Sequence, residues 1–254
     1  MSVYNQAEYL EKAIKSILDQ TLTNFEFLIL DDGSTDNSRE IINDFKDKRI
    51  KFFKNKQRQG LAKGLNRLIK ESQGDYIARM DGDDISLPTR LAEEVDFLEK
   101  NREVVLVGSW VEIIDKKDRA VGYFKHPSDY QEIRKKILSR NLFIHPSVIF
   151  RKEAFNEVGG YDEDLAYSQD YDLFLRMAAK FPCRNISKIL LQFRWLGDFT
   201  KQKEQHRLAL KIILKALREY NYHWWEVFKL IKPAFFYLIP IRIKRFYWRR
   251  KLNS

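Results

Sequence analysis

Two rhythms of apolar residues alternate along the first 115 positions. Residues 8–20 carry Leu10, Ala13, Ile14, Ile17 and Leu18 at helical spacing. A short apolar run over 25–30 follows, with the length and flanks of a strand, and it ends in Asp31-Asp32-Gly33-Ser34-Thr35-Asp36. A helix is expected over 37–45, with Asp36 or Asn37 as its N-cap. Residues 50–53 read as a strand, 60–71 as a helix and 75–80 as a second buried strand. Pro88 suits the start of a helix running to about Lys100, and 104–114 is strand-like with a break near Gly108. Strands alternating with helices of about ten residues predict an α/β fold, a mostly parallel sheet flanked by helices. Ligands of such sheets bind beyond the carboxyl ends of the strands. Both acidic clusters of this half, 31–36 and 81–84, fall at such ends.

The second half is less regular. Helices are expected over 129–138, 152–158 and from Ser168 to Arg176, and strands over 146–150 and 186–195. Gly159-Gly160 stops the second of these helices. Residues 201–220 form a long basic helix with Leu208, Ile212, Leu214 and Leu217 as its apolar positions. There is no internal repeat and no low-complexity linker.

The stretch Tyr76-Ile77-Ala78-Arg79-Met80-Asp81-Gly82-Asp83-Asp84 carries the sharpest chemistry. An apolar strand ends in three carboxylates within four residues. Strand geometry turns Asp81 and Asp83 toward one space, where their charges repel unless a cation lies between them. Mg²⁺ or Mn²⁺ answers that need, since either takes one or two carboxylates and fills its other positions with water and phosphate oxygens. A polar loop capping the next helix is the plainer alternative.

Charge changes the picture at one end only. The net charge is +10, and residues 201–254 hold 14 Lys/Arg against 3 Asp/Glu, so the rest is close to neutral. This divides the chain into a globular domain over 1–200 and a basic helical extension over 201–254. The tail also concentrates Trp224, Trp225, Phe228, Phe235, Phe236, Tyr237, Phe246, Tyr247 and Trp248. Its apolar core is too short to span a bilayer, which takes ~20 apolar residues. Aromatics among cations suit the headgroup region of an anionic membrane; a hairpin packed on the body is the other reading. No nucleic-acid-binding motif accompanies the basic residues, and no nucleic-acid partner is expected. The single cysteine, Cys183, excludes an intrachain disulfide, and a small buried hydrophobe is its expected role. No signal peptide is visible at the start.

Four segments in order, Ser2-Val3-Tyr4-Asn5, the run 25–36, Asp81-Gly82-Asp83-Asp84 and Gln169-Asp170, resemble the family-2 inverting glycosyltransferases, which have the Rossmann-like GT-A fold. The resemblance covers about residues 1–196. It implies transfer of a sugar from a nucleoside-diphosphate donor, UDP-linked in this type, to an acceptor hydroxyl with inversion, aided by Mg²⁺ or Mn²⁺. It implies donor-binding roles for Ser2, Tyr4, Asp32, Arg58 and Asp81, with Asp32 at the base. Asp83 and Asp84 would hold the metal. Asp170 would be the general base, with His145 and Gln169 on the acceptor side. Asp172 competes with Asp170 for the base position and reads better as a helix-face acid. Together with the tail, the resemblance points to a lipid-linked glycan acceptor in surface polysaccharide assembly. The expected location is cytoplasmic and peripheral on the inner face of the membrane. Family members have an apolar strand immediately before the first segment, so a first strand is expected to be missing here, its residues lying upstream. A sugar-phosphate nucleotidyltransferase fits less well, because Val3–Tyr9 lacks the glycine-rich loop of those enzymes. A catalytically silent protein using the same fold as a membrane-binding module is the alternative from another class.

Overall fold

The computed structural model describes residues 1–196, 202–220, 222 and 228. The first part runs β1 (Ser2–Val3), α1 (Ala7–Leu18), β2 (Phe27–Asp31), α2 (Ser38–Asp44), β3 (Ile50–Lys54), α3 (Leu61–Glu71) and β4 (Tyr76–Ala78). There follow β5 (Ile85–Ser86), α4 (Arg90–Lys100), β6 (Leu106–Ile114), β7 (Ala120–Phe124), α5 (Tyr130–Lys136), β8 (Ile149–Arg151) and α6 (Lys152–Glu157). The described chain closes with α7 (Gln169–Lys180), β9 (Cys183–Arg194) and α8 (Gln202–Glu219).

Strands β1, β2 and β3 form a parallel three-stranded sheet in that order. A six-stranded sheet runs β4-β8-β6-β9-β5, with β7 on β6. Only β6 and β9 are parallel there, and its other pairs are antiparallel. Parallel pairing is therefore less extensive than the alternation predicts. Past α4, β7 returns on β6 through a short turn, which only antiparallel strands allow, and β8 and β5 add further antiparallel pairs. The alternation missed β5 and β7 because the first is two residues long and the second is a five-residue run interrupted by Gly122. All five residues of β2 are buried, as a strand covered on both faces requires. Strand β6 runs unbroken through Gly108, whose missing Cβ would stand 2.4 Å from the Asn185 side chain on β9.

Helix α1 buries Leu10, Ala13, Ile14 and Ile17 over β1 and β2. Helices α3 and α5–α8 pack with β6 and β8 around a second, larger apolar cluster. Ile212, Ile213 and Ala216 of α8 belong to that cluster, so the first part of the basic extension shares the body's core. Tyr222 continues the contact, donating its hydroxyl to the Leu175 carbonyl. The expected boundary at 200 falls among residues outside the described set, as do the aromatic positions of the tail other than Phe228. No described helix is long and apolar enough to cross a membrane. Cys183 is buried and free, and burial pushes its thiol far up.

The first strand, expected to be missing, is present as the two-residue β1, which pairs Ser2 with Leu30 and Val3 with Asp31. The Met1 ammonium is buried and donates to the Leu28 carbonyl at 2.8 Å. Beside it a cavity of about 890 Å³ separates β2 from β4, lined by Met1, Phe27, Leu28, Leu68, Ile77 and Phe150 among others. Burial, with the Arg79 charge adding to it, pulls the ammonium from 8.0 down to about 5.

Candidate active site at the strand ends

Asp81, Asp83 and Asp84 lie just beyond β4, with one carboxylate oxygen of each within 4.8 Å of the others. Gly82 between them leaves room for the Gln6 side chain, whose Oε1 would stand 2.5 Å from a Cβ there. Gln6 in turn donates through Nε2 to Asp83 Oδ1 at 3.4 Å. Asp84 is almost wholly buried; Oδ1 accepts from the Arg194 backbone at 2.7 Å, and Oδ2 has no hydrogen-bond partner. Burial and the neighbouring Asp81 charge push the Asp83 carboxyl up to about 6, and burial with the Asp81 and Asp83 charges holds Asp84 well above the usual carboxylate range. Oxygen donors this close, with one buried oxygen orphaned, fit a hard divalent cation.

The three buried arginines among the described residues all engage this segment. Arg79 forms an ion pair with Asp81. Arg90 donates through Nη2 to the Arg79 carbonyl at 2.8 Å and is paired with the buried Glu94. Burial pushes Glu94 up to about 7 against the pull of Arg90. Arg194 donates through Nε to the Asp83 carbonyl at 2.7 Å. Sequence reading assigned no role to any of the three. Arg79 left a signal, as a cation inside an otherwise apolar strand.

A second group gathers around the end of β2. Asp31 is fully buried and paired with Arg39, and it also accepts from Ser34 N at 2.9 Å. Asp32 Oδ1 accepts from Asn55 Nδ2 at 2.7 Å and Gln59 N at 2.8 Å, while Oδ2 accepts from Gly60 N at 2.8 Å. Asp32 therefore anchors the 55–60 loop, and a lone pair on Oδ2 is left for a further donor. Gly33, at φ +79°, lies against that loop; a Cβ would meet Arg58 N at 2.9 Å. The Arg58 guanidinium stacks on the exposed Tyr4 ring at 4.3 Å, so these two expected donor-side residues do meet. Ser2 does not join them. It is buried, and its hydroxyl packs under α3, where only Gly64 leaves it room. Asp36 is a cap, accepting from Ala7 N and Ser38 N at 3.0 Å each.

Asp170 stands in the first turn of α7, accepting from Asn141 Nδ2 at 2.9 Å. Burial raises its carboxyl above the usual range, while the Tyr171 N–H and Arg79 favour the ionised form. The Asp81 charge adds to that rise. Asp172 is fully buried and tied by both Nε and Nη2 of Arg176, so it is a core ion pair. Gln169 is buried next to Asp170 with Oε1 unpartnered. His145 bonds the Tyr161 hydroxyl through Nε2 at 2.8 Å and packs edge-on to Phe174. Burial and Arg79 hold its pKa well below the usual range, so it stays neutral near pH 7.

This arrangement agrees with what the chain is similar to. The glycosyl transferase family 2 model matches residues 1–159. An uncharacterized glycosyltransferase of Methanocaldococcus jannaschii is 35% identical, over 94% of this chain and 88% of that protein. An Escherichia coli UDP-Gal:alpha-D-GlcNAc-diphosphoundecaprenol beta-1,3-galactosyltransferase is 28% identical, over 96% and 91% of the two. Among solved structures, Staphylococcus aureus TarS residues 1–349 in complex with UDP-GlcNAc superposes with a TM-score of 0.69. That match has 17% identity and covers 92% of this chain and 69% of that one. With the GT-A fold and a family match over most of its length, the chain belongs to glycosyl transferase family 2 and is a glycosyltransferase.

Proposed function

We propose that the chain moves a sugar from a UDP-linked donor to a hydroxyl of a lipid-linked glycan with inversion. The observation that carries this reading is the gathering of Asp81, Asp83 and Asp84 at a strand end with Asp170 in electrostatic reach. Asp83 and Asp84 would hold Mg²⁺ or Mn²⁺, which neutralises charge on a departing nucleoside diphosphate. Asp81, pinned by Arg79, faces the ribose; Tyr4 and Arg58 line the donor; and the open lone pair of Asp32 meets the imide N–H of uracil. The acceptor oxygen attacks the anomeric carbon as the carbon–diphosphate oxygen bond breaks, and Asp170 takes the hydroxyl proton. Asn141 orients that carboxylate. His145, neutral and locked to Tyr161, walls the acceptor side.

The lipid-linked acceptor is supported by the activity that the Escherichia coli relative is named for and by the cationic, aromatic composition of 221–254. The same composition supports a cytoplasmic protein held peripherally on the inner face of the membrane, as in polysaccharide biosynthesis.

Three outcomes are expected. Calorimetry should show UDP binding that strengthens with Mn²⁺ in the wild type and loses that gain in Asp83→Ala; metal-independent binding in both would remove the cation from the reading. Asp170→Asn should bind UDP as the wild type does, yet transfer sugar to a lipid-diphosphate-linked acceptor about 10²–10⁴-fold more slowly. Wild-type turnover by that variant would place the base elsewhere. Removing residues 223–254, which spares the Tyr222 contact, should shift the protein from sedimenting anionic vesicles to the supernatant. Undiminished sedimentation would move the membrane contact onto the body.

A further inference from the structure

We propose that Arg194 is a positioning residue for the acidic cluster, fixing the 83–84 loop from β9 with Asp118 as its own anchor. The proposal rests on the reading of 81–84 as a cation site. Arg194 is buried at the end of β9, and its guanidinium spans three partners. Nε donates to the Asp83 carbonyl at 2.7 Å, Nη1 donates to the Asp115 carbonyl at 2.8 Å, and Nη2 pairs with Asp118 Oδ1 at 2.6 Å. Its backbone N–H holds Asp84 Oδ1 at 2.7 Å, so one residue grips both adjacent acids. The Tyr9 ring covers the guanidinium at 4.2 Å.

A planar fork of donors is needed to meet two carbonyls and a carboxylate at once, which a lysine cannot do. The contacts fit positioning: Arg194 touches the cluster through the Asp83 carbonyl and the Asp84 carboxylate's backbone bond, and its ion pair is made with Asp118, which Lys12 also pairs. Asp118 is presented at φ +60° in the β6–β7 turn, which gives that otherwise peripheral hairpin a role at the site.

Mn²⁺ titration followed by electron paramagnetic resonance tests this without turnover. It is applied to wild type, Arg194→Lys, Arg194→Met and Asp118→Asn, beside thermal melts and metal-free UDP binding. Residues behind metal ligands typically change metal affinity about 10–100-fold. Arg194→Met should weaken Mn²⁺ binding in that range, with lysine restoring part of it and Asp118→Asn giving a smaller loss. Metal-free UDP affinity should stay unchanged. Should Arg194→Met not fold, Asp118→Asn and Arg194→Lys decide in the same way. Unaltered or tighter Mn²⁺ binding in the folded variants overturns the positioning role, a gain being what removal of a competing cation would produce. A wild type that binds no Mn²⁺ fails the cation-site reading itself, and this inference with it.

Discussion

Mutual repulsion among Asp81, Asp83 and Asp84 is the constraint that the surrounding structure answers. Three carboxylates face one space in a partly buried turn, and burial with the neighbouring acid charges holds Asp83 and Asp84 well above the ordinary carboxylate range. The chain meets this with three buried arginines, one just past β4 and the others from α4 and β9. Each does something different. Arg79 supplies a direct counter-charge, Arg90 ties down the carbonyl at the strand end, and Arg194 grips the loop from the far side. Breaking a buried pair of this kind costs about 3–5 kcal/mol, because the abandoned charge has nowhere to go. Stability and cation affinity are therefore coupled at one point in the fold.

The same residues explain why two poorly matched sheets meet where they do. The parallel sheet carries Asp31 and Asp32 at its rim, and the mixed sheet carries the acidic turn at its own. Helix α1 bridges them. Its first turn is capped by Asp36 from the first rim, and Gln6 just before it reaches Asp83 on the second. A donor spanning a base at one rim and a diphosphate at the other suits that layout.

Much of this was legible in the sequence. Helical spacing located α1, α3 and α4 to within a few residues, because each buries a continuous apolar face. The abrupt change from an apolar run to Asp81-Gly82-Asp83-Asp84 marked the cluster, since few uses of a strand end call for three acids. Ordinary pattern reading missed β5 and β7, which are set by pairing with β9 and β6 and not by local periodicity. It also missed Arg194, whose partners lie 79 and 111 residues away in the chain. No local signal distinguishes such an arginine from a surface cation. Ser2 shows the converse limit: its place in a motif pointed to the donor, but packing under α3 at Gly64 decides where its hydroxyl lies.

The most direct test is a crystal of the chain grown with UDP and Mn²⁺, with data collected at the manganese absorption edge. The account expects one anomalous peak joining the Asp83–Asp84 carboxylates to the diphosphate, with uracil near Asp32. A diphosphate bound away from the cluster, with no anomalous signal between the carboxylates, would contradict it.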